Sequence, residues 1–401
     1  MTRDTPTYEQ LDSFAREHGS SFYLFHPDRF LNNLMELSRK LAAYYPNSIL
    51  AYALKANYLP YLCSMIQQLG FWGEVVSGLE YNIARQYLPG NCLIFNGPCK
   101  SEKDIRKALD EGAQVNLDSF YEMKILETLI GEYKEVPIGL RVNFDIGTGL
   151  SRFGFNFENG EFSKAVEMLS KLQNIRLVSI HSHFTTKERS LELFARRAKG
   201  MIKVYESLPQ QELIRYINLG GGFFGPMSDK ARDQFLIPSP TFEEYASAIA
   251  NIFVNKFGNI GPCLVLEPGV SVIADAMDYV VRILDDRKRQ GKHYLTVDGS
   301  INCLFPTGSR FIPDYSVVGV GKNKSKVCNV TGYTCMEHDV LLNNVKLEAK
   351  TEDFIVFHNR GAYSNVYKPP FIKEAPAIIG IDGKVYARRQ TYADVIAPYT
   401  I

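Results

Sequence analysis

Short apolar runs and amphipathic stretches alternate along the chain from about residue 48 to residue 267. The apolar runs fall at 48–54, 74–76, 92–95, 115–117, 138–142, 177–180, 216–219 and 263–266, each of strand length. Between them, stretches such as 79–87, 101–111, 119–130 and 162–172 carry apolar residues at helical spacing. Two of these open on a serine with an acid three residues later, Ser101-Glu102-Lys103-Asp104 and Ser119-Phe120-Tyr121-Glu122, the capping-box pattern of a helix start. Eight strands separated by helices predict parallel β/α units, and the count of eight favours a closed (β/α)8 barrel over an open sheet. After about residue 277 the texture changes. Runs at 279–284, 294–297, 326–330, 345–347, 354–357 and 377–381 read as strands without helices between them, an all-β domain. The early run at 22–25 is expected to join it. The predicted organisation is a barrel over 28–277 and a β-domain over 1–27 and 278–401.

Composition narrows the functional classes. A chain of 401 residues with 45% hydrophobic residues is long enough for two cores. Its formal net charge of +1 leaves no footprint for nucleic acid or an anionic membrane. No apolar run reaches the roughly 18 residues of a spanning helix, and Met1-Thr2-Arg3-Asp4 does not open a signal peptide. Seven cysteines without a Cys-x-x-Cys pair read as reduced thiols of a cytoplasmic protein, not as a disulfide framework or a zinc site, and no metal is expected.

One lysine, Lys55, is carried by Ala51-Tyr52-Ala53-Leu54-Lys55-Ala56-Asn57 to the end of the first predicted strand. Apolar walls there would disfavour its ammonium, and an amine neutral near pH 7 forms a Schiff base with an aldehyde. Alone, the segment reads more simply as a lysine that ends a strand and reaches water. In a barrel, however, catalytic groups gather where strands pass into loops. Glu74 and Ser77, His181 and His183, Gly220-Gly221-Gly222 and Glu267 all fall at such ends. The glycine triplet is either a tight turn or a row of exposed amides suited to a phosphate dianion. Glu267, closing an apolar strand, needs a buried partner: an ion pair with Arg141 or Arg152, or a protonated pyridine nitrogen, which would make that ring an electron sink. Neither Asp nor Cys lies near His181 and His183 to complete a metal set. A flat imidazole against a flat cofactor ring suits His183, with His181 as a satisfied core histidine.

In this order, Lys55, His183, the glycine triplet and Glu267 resemble the fold-type III pyridoxal-phosphate enzymes, and more narrowly the ornithine/diaminopimelate/arginine decarboxylase family. The resemblance runs from Phe22 to about Tyr367. It rests on Tyr-Ala-Leu-Lys-Ala-Asn at 52–57, Leu-Gly-Gly-Gly at 219–222, Glu-Pro-Gly at 267–269 and Gly-Ala-Tyr at 361–363. It implies an alanine-racemase-like barrel with a C-terminal β-domain, pyridoxal 5'-phosphate as cofactor, and α-decarboxylation of an amino-acid-type substrate. Residue by residue, it implies Lys55 as the Schiff-base lysine, His183 stacked on the ring and Glu267 on the pyridine nitrogen. Gly220, Gly221, Gly222, Thr186 and Tyr363 would hold the phosphate, Arg141 would lie close to the cofactor, and Cys335 would return a proton to the α-carbon. Cys335 and Tyr363 would enter the neighbouring subunit's site, giving a head-to-tail homodimer with composite sites.

Three departures bear on the substrate. The family's Glu-Pro-Gly-Arg reads Glu267-Pro268-Gly269-Val270 here, and valine cannot replace a guanidinium; Arg310 and Arg360 are the candidates to supply that charge. Family members acting on basic amino acids carry an acid directly after the cysteine, where this chain has Met336. Methionine cannot pair with a distal ammonium, whose burial alone costs several kcal/mol; Glu337 or Asp339 would have to stand in. Around 297–306 no arginine awaits a second carboxylate, the nearest being Arg310. These departures favour a carboxylated or bulky substrate over a simple basic amino acid, and a branch nearer to the siderophore and specialised-metabolite decarboxylases. The rival readings are a racemase on the same fold, against which Glu267 speaks, and an inactive regulatory homologue, against which Lys55 and Cys335 speak.

Overall fold

The computed structural model of the chain describes residues 6–400 except Leu150, 185–187, Leu236, 306–312, 322–323 and 368–369. It divides into two compact units. One comprises Leu31–Gly225 with Leu236–Ser271; the other comprises Met1–Phe30, Pro226–Phe235 and Val272–Ile401.

After β1 (Ser21–Phe25), which belongs to the second unit, come the strands of the first: β2 (Ser48–Ala53), β3 (Trp72–Val75), β4 (Leu93–Phe95), β5 (Gln114–Leu117), β6 (Val136–Asn143), the short β7 (Phe155–Asn156) beside it, β8 (Ile175–His181), β9 (Tyr216–Asn218) and β10 (Cys263–Leu266). Apart from β7, each pairs in parallel with the next, and β10 returns to β2 with Leu264 opposite Ser48 and Leu266 opposite Leu50. The expected eight-stranded barrel is therefore closed. Parallel strands covered on both faces lose their alternation, which is why β10 is buried at every position. The helices start where expected: Ser101 and Ser119 accept the amides of Asp104 and Glu122. The reciprocal half of the second box is not made. The Glu122 carboxylate turns inward instead, accepting the amides of Lys100 and Asp118 at 2.9 and 2.8 Å and pairing with the buried Lys100 ammonium at 2.8 Å.

The second unit is built on β11 (Met277–Arg289), which is flanked antiparallel by β1, β12 (Lys292–Val297) and β16 (Phe354–Phe357). Around it lie β13 (Tyr315–Val318), β14 (Lys326–Thr331), β15 (Val340–Leu347), β17 (Ala377–Gly380) and β18 (Val385–Ala387). β1 fills the gap between β11 and β17, so the N-terminal strand sits inside a sheet made otherwise from the C-terminal third. Its core packs Phe22, Leu24, Val280, Phe354 and Ile379 against Leu11 of the helix Tyr8–His18. At one end of β11 the buried Asp278 carboxylate bridges His26, at 3.2 Å, and His358, at 3.1 Å. Among the described residues, no helix is long and apolar enough to cross a membrane.

Candidate active site

Lys55 sits in a single 3-10 turn, Leu54–Ala56, directly after β2. The Ala53 amide donates to the Pro268 carbonyl at 3.0 Å, which ties this turn to the loop after Glu267. The surroundings of Lys55 differ from the apolar walls expected. Its Nζ donates to Glu74 Oε2 at 2.7 Å, and that carboxylate on β3 is fully buried. A glutamate at an inward position of the neighbouring strand is enough to turn an apolar pocket into an ion pair. Burial lifts the Glu74 carboxyl above its ordinary range; the Lys55 charge opposes this and the Glu267 charge adds to it.

From Glu74 a chain of amides crosses the barrel. Asn96, which follows β4, donates its Nδ2 to Glu74 Oε1 at 3.1 Å and to Glu267 Oε1 at 2.6 Å. Asn116 on β5 donates to Asn96 Oδ1 at 2.8 Å, fixing which way the Asn96 amide points. Asn218, ending β9, donates to the same Glu267 Oε1 at 2.6 Å and accepts the Gly220 amide at 2.8 Å. Glu267 Oε1 is thus held twice, while its Oε2 is buried without a hydrogen-bond partner. The ion pair with Arg141 or Arg152 that the sequence left open does not form: Arg141 pairs with Asp118 at 2.8 Å, and the Arg152 guanidinium lies 3.9 Å over the Phe153 ring. Burial alone would raise the Glu267 carboxyl, but His181 and Lys55 beside it reverse this and hold it well below the usual carboxylate range.

His181 is not the satisfied core histidine expected. Its Nε2 lies 3.6 Å from Glu267 Oε2, beyond hydrogen-bond reach, and both ring nitrogens are buried and unpartnered. His183 Nδ1 accepts the Gly221 amide at 3.1 Å, so in the neutral ring the proton sits on Nε2. Burial, then the Lys55 and Arg197 cations, push its pKa well below the ordinary value and keep the ring neutral. Arg141 on β6 donates to the His183 carbonyl at 3.0 Å, so the Arg141–Asp118 pair supports the loop carrying His183.

The glycine triplet follows β9 with Gly220 at φ 66° and Gly222 at φ 103°, a region L side chains rarely adopt. A Cβ on Gly221 would overlap the Glu267 carbonyl oxygen, and one on Gly220 would come within 2.6 Å of His183 Nδ1. Behind the loop, Arg197 of the helix Leu191–Glu206 donates to the carbonyls of Leu219 and Gly221 at 2.8 and 2.9 Å.

Cys335, Met336, Asp339, Arg360 and Tyr363 lie in the sheet unit. Cys335 is an exposed thiol. Met336 follows it, and its carbonyl accepts the Asp339 amide at 3.0 Å. The Asp339 carboxylate organises its own loop, accepting the Ile301 amide at 2.7 Å, the Thr334 hydroxyl at 2.7 Å and the Thr334 amide at 3.1 Å. Tyr363 adopts a left-handed backbone, φ 54°, with its ring 6.4 Å from that of Tyr367. Arg360 donates to the carbonyls of His358 and Leu304 at 2.9 and 3.3 Å. Thr186 and Arg310 lie outside the described residues.

Residues 31–274 match the family model of the pyridoxal-dependent decarboxylase pyridoxal-binding domain. The chain belongs to the pyridoxal-dependent decarboxylases. It is a carboxy-lyase that uses pyridoxal phosphate on an amino-acid-type substrate. Diaminopimelate decarboxylase of Aquifex aeolicus is 25% identical to it over 97% of this chain and 93% of its own length. That of Archaeoglobus fulgidus is 28% identical over 96% and 94%. The crystal structure of diaminopimelate decarboxylase from M. jannaschii superposes with a TM-score of 0.86 at 23% identity, over 97% of this chain and 94% of that one. The barrel residues fit the cofactor. Glu267 Oε2 lacks a donor that a protonated pyridine nitrogen would supply, and among the described residues the Gly222 and Phe223 amides of the glycine loop have no acceptor that a phosphate would supply.

Asn96, Asn116, Asn218 and Arg197 were not among the residues expected from the sequence, and His181 was expected there only as a satisfied core histidine. A signal did exist for Asn96 and Asn218: single amides at the ends of apolar strands, as conspicuous there as Lys55 and Glu267. Arg197, inside an amphipathic helix, gave none.

Proposed function

We propose that the chain removes the α-carboxylate of an amino acid whose far end carries a carboxylate or a bulky conjugate, and that simple basic amino acids are poor substrates. Glu267 carries the decarboxylase reading: one oxygen is held by two amides and the other is left for a ring N–H. Bound pyridoxal phosphate supplies an electron-accepting ring for the pair left behind when the α-carboxylate departs as carbon dioxide. Glu267 keeps the ring nitrogen protonated, where an arginine, as in racemases, would weaken the sink. Lys55 Nζ would anchor the aldehyde, neutral His183 would face the ring, and the glycine loop at 220–222 would hold the phosphate. Cys335 Sγ hands a proton to the α-carbon, and Met336 beside it offers no charge to a distal ammonium. The relatives' names make diaminopimelate the first compound to try. Carbon dioxide release is measured on protein loaded with pyridoxal phosphate, across diaminopimelate, conjugated amino acids, lysine, ornithine and arginine. Release from the first two kinds alone supports the whole reading. Brisk release from ornithine or lysine overturns the substrate half, and silence throughout overturns the decarboxylase half.

A further inference from the structure

Val270 leaves the glycine loop without the arginine the family resemblance calls for, yet the barrel unit buries a cation against that same loop. Arg197 is among the largest fully buried side chains of the described residues, 2% exposed. Its guanidinium donates to the carbonyls of Leu219, Gly221 and Phe184, at 2.8, 2.9 and 3.3 Å, and its Nε has no hydrogen-bond partner. Among the described residues no carboxylate forms an ion pair with it, the Glu267 charge acting on it only through space; the Phe194 ring, 4.6 Å away, and the Phe184 ring, 5.4 Å away, lie against it. Burial brings its pKa down to about 10, which leaves it charged at neutral pH. A buried charge with no directly paired counterion is costly, and a bound dianion nearby would relieve that cost.

We propose that Arg197 is the positioning residue that gives the glycine loop its affinity for the cofactor phosphate, in place of the arginine absent at 270. The inference rests on the phosphate lying at the glycine loop. A trans peptide points its carbonyl and its N–H in opposite directions. With the Gly221 carbonyl drawn to Arg197, the Gly222 N–H of the same peptide turns away from it. The Gly220 and Gly221 amides are already taken by Asn218 and His183. Among the described residues the Gly222 and Phe223 amides have no acceptor. Arg197 thus turns the Gly222 N–H toward an anion, with the Phe223 N–H next to it in the chain, and neutralises the carbonyl ends of Leu219 and Gly221 behind the loop. Ser271 Oγ is buried and unpartnered, and a Cβ on Gly225, three residues past the triplet, would overlap the Ser271 carbonyl. An arginine at 270 would therefore start close to the segment that continues the glycine loop.

The test titrates cofactor-free wild type, Arg197→Lys and Arg197→Met with pyridoxal phosphate and, separately, with pyridoxal, which lacks the phosphate. The bound chromophore is followed by absorbance and folding by circular dichroism. Wild type should prefer the phosphorylated form. Arg197→Met should lose about tenfold or more of that preference, about 1.4 kcal/mol, while binding pyridoxal as before, with Arg197→Lys between the two. Adding Val270→Arg should restore it. If the variants keep the wild-type preference, or lose both ligands equally without rescue by Val270→Arg, the role of Arg197 is refuted. Should Arg197→Met not fold, Arg197→Lys with and without Val270→Arg decides: rescue supports the proposal, and its absence refutes it. A wild type that binds pyridoxal as tightly as pyridoxal phosphate instead refutes the glycine-loop reading itself.

Discussion

Two asparagines decide how the Glu267 carboxylate is used. With Asn96 and Asn218 both on Oε1, the acid can face its ligand only through Oε2. Hydrogen bonds to a charged group contribute about 1.5–3 kcal/mol. Asn218→Ala should therefore lower kcat/KM by about ten- to a hundredfold and move the acid limb of the rate profile upward, since the freed carboxylate takes a proton more readily. A profile that keeps its shape would show that the clamp does not act through Glu267. Glu80 offers a prediction about stability. It is 7% exposed and accepts the Val76 amide at 2.9 Å, and burial raises its carboxyl to about 7. The unfolded chain releases that proton near 4.5. Below that pH both states hold it and nothing is lost; between 4.5 and about 7 only the folded state holds it, so stability falls as pH rises. Above about 7 the loss is complete, on the order of 3 kcal/mol for a shift from 4.5 to about 7. Glu80→Gln keeps an acceptor for Val76 and should match wild type at pH 4 but exceed it at pH 8 in urea melts. Equal midpoints at both pH values would rule this out.

Between elements, the amide chain depends on a missing side chain. Asn116 on β5 lies opposite Gly139 on β6, and a Cβ at 139 would overlap Asn116 Oδ1. Gly139→Ala should push Asn116 aside and free the Asn96 amide to turn. The expected cost is about 1–3 kcal/mol of stability, typical of overpacking, with turnover falling by more than the stability loss explains. Unchanged turnover in folded protein would show that Asn116 is not needed to orient Asn96. The same pair shows what was legible in the sequence. Alternating apolar runs located the barrel strands because burial on both faces leaves a continuous pattern, and β10 was delimited to the residue. Lys55 and Glu267 stood out because a charge closing such a run is rare. Asn116 is uncharged, and its meaning depends on Gly139 across the strand, a pairing no local pattern carries. The helix Tyr8–His18 and the strand β13 were passed over for a related reason, since each is defined by what covers it. The unsatisfied His181 and the inward turn of Glu122 are likewise properties of neighbours distant in sequence.

In the whole molecule, the second unit draws its sheet from both ends of the chain. β1 is hydrogen-bonded to β11 and to β17, with Phe22 opposite Val280 and Ala377. Such long-range pairing forms late. Deleting residues after 373, which removes β17 and β18, should leave β1 with an open edge and the protein prone to aggregation. Soluble, monodisperse truncated protein would contradict that. If, as the family resemblance implies, Cys335 and Tyr363 complete the site of a second copy, two inactive variants should rescue one another. Mixed Lys55→Ala and Cys335→Ala proteins, allowed to exchange subunits, should regain about a quarter of wild-type activity, because half of the dimers are mixed and each holds one intact site. No recovery would count against composite sites.

The Lys55–Glu74 contact has a kinetic consequence for how the enzyme is loaded. An ammonium cannot attack an aldehyde; it must first give up a proton. At 2.7 Å, Glu74 is a ready destination, and burial already inclines that carboxyl toward holding one. The transfer neutralises both members of the pair at once and draws nothing from bulk water. The rate of holoenzyme assembly should accordingly stay nearly flat between pH 6 and 8, where a lysine with an ordinary pKa of about 10.4 would speed up about a hundredfold. Glu74→Gln should restore that steep dependence.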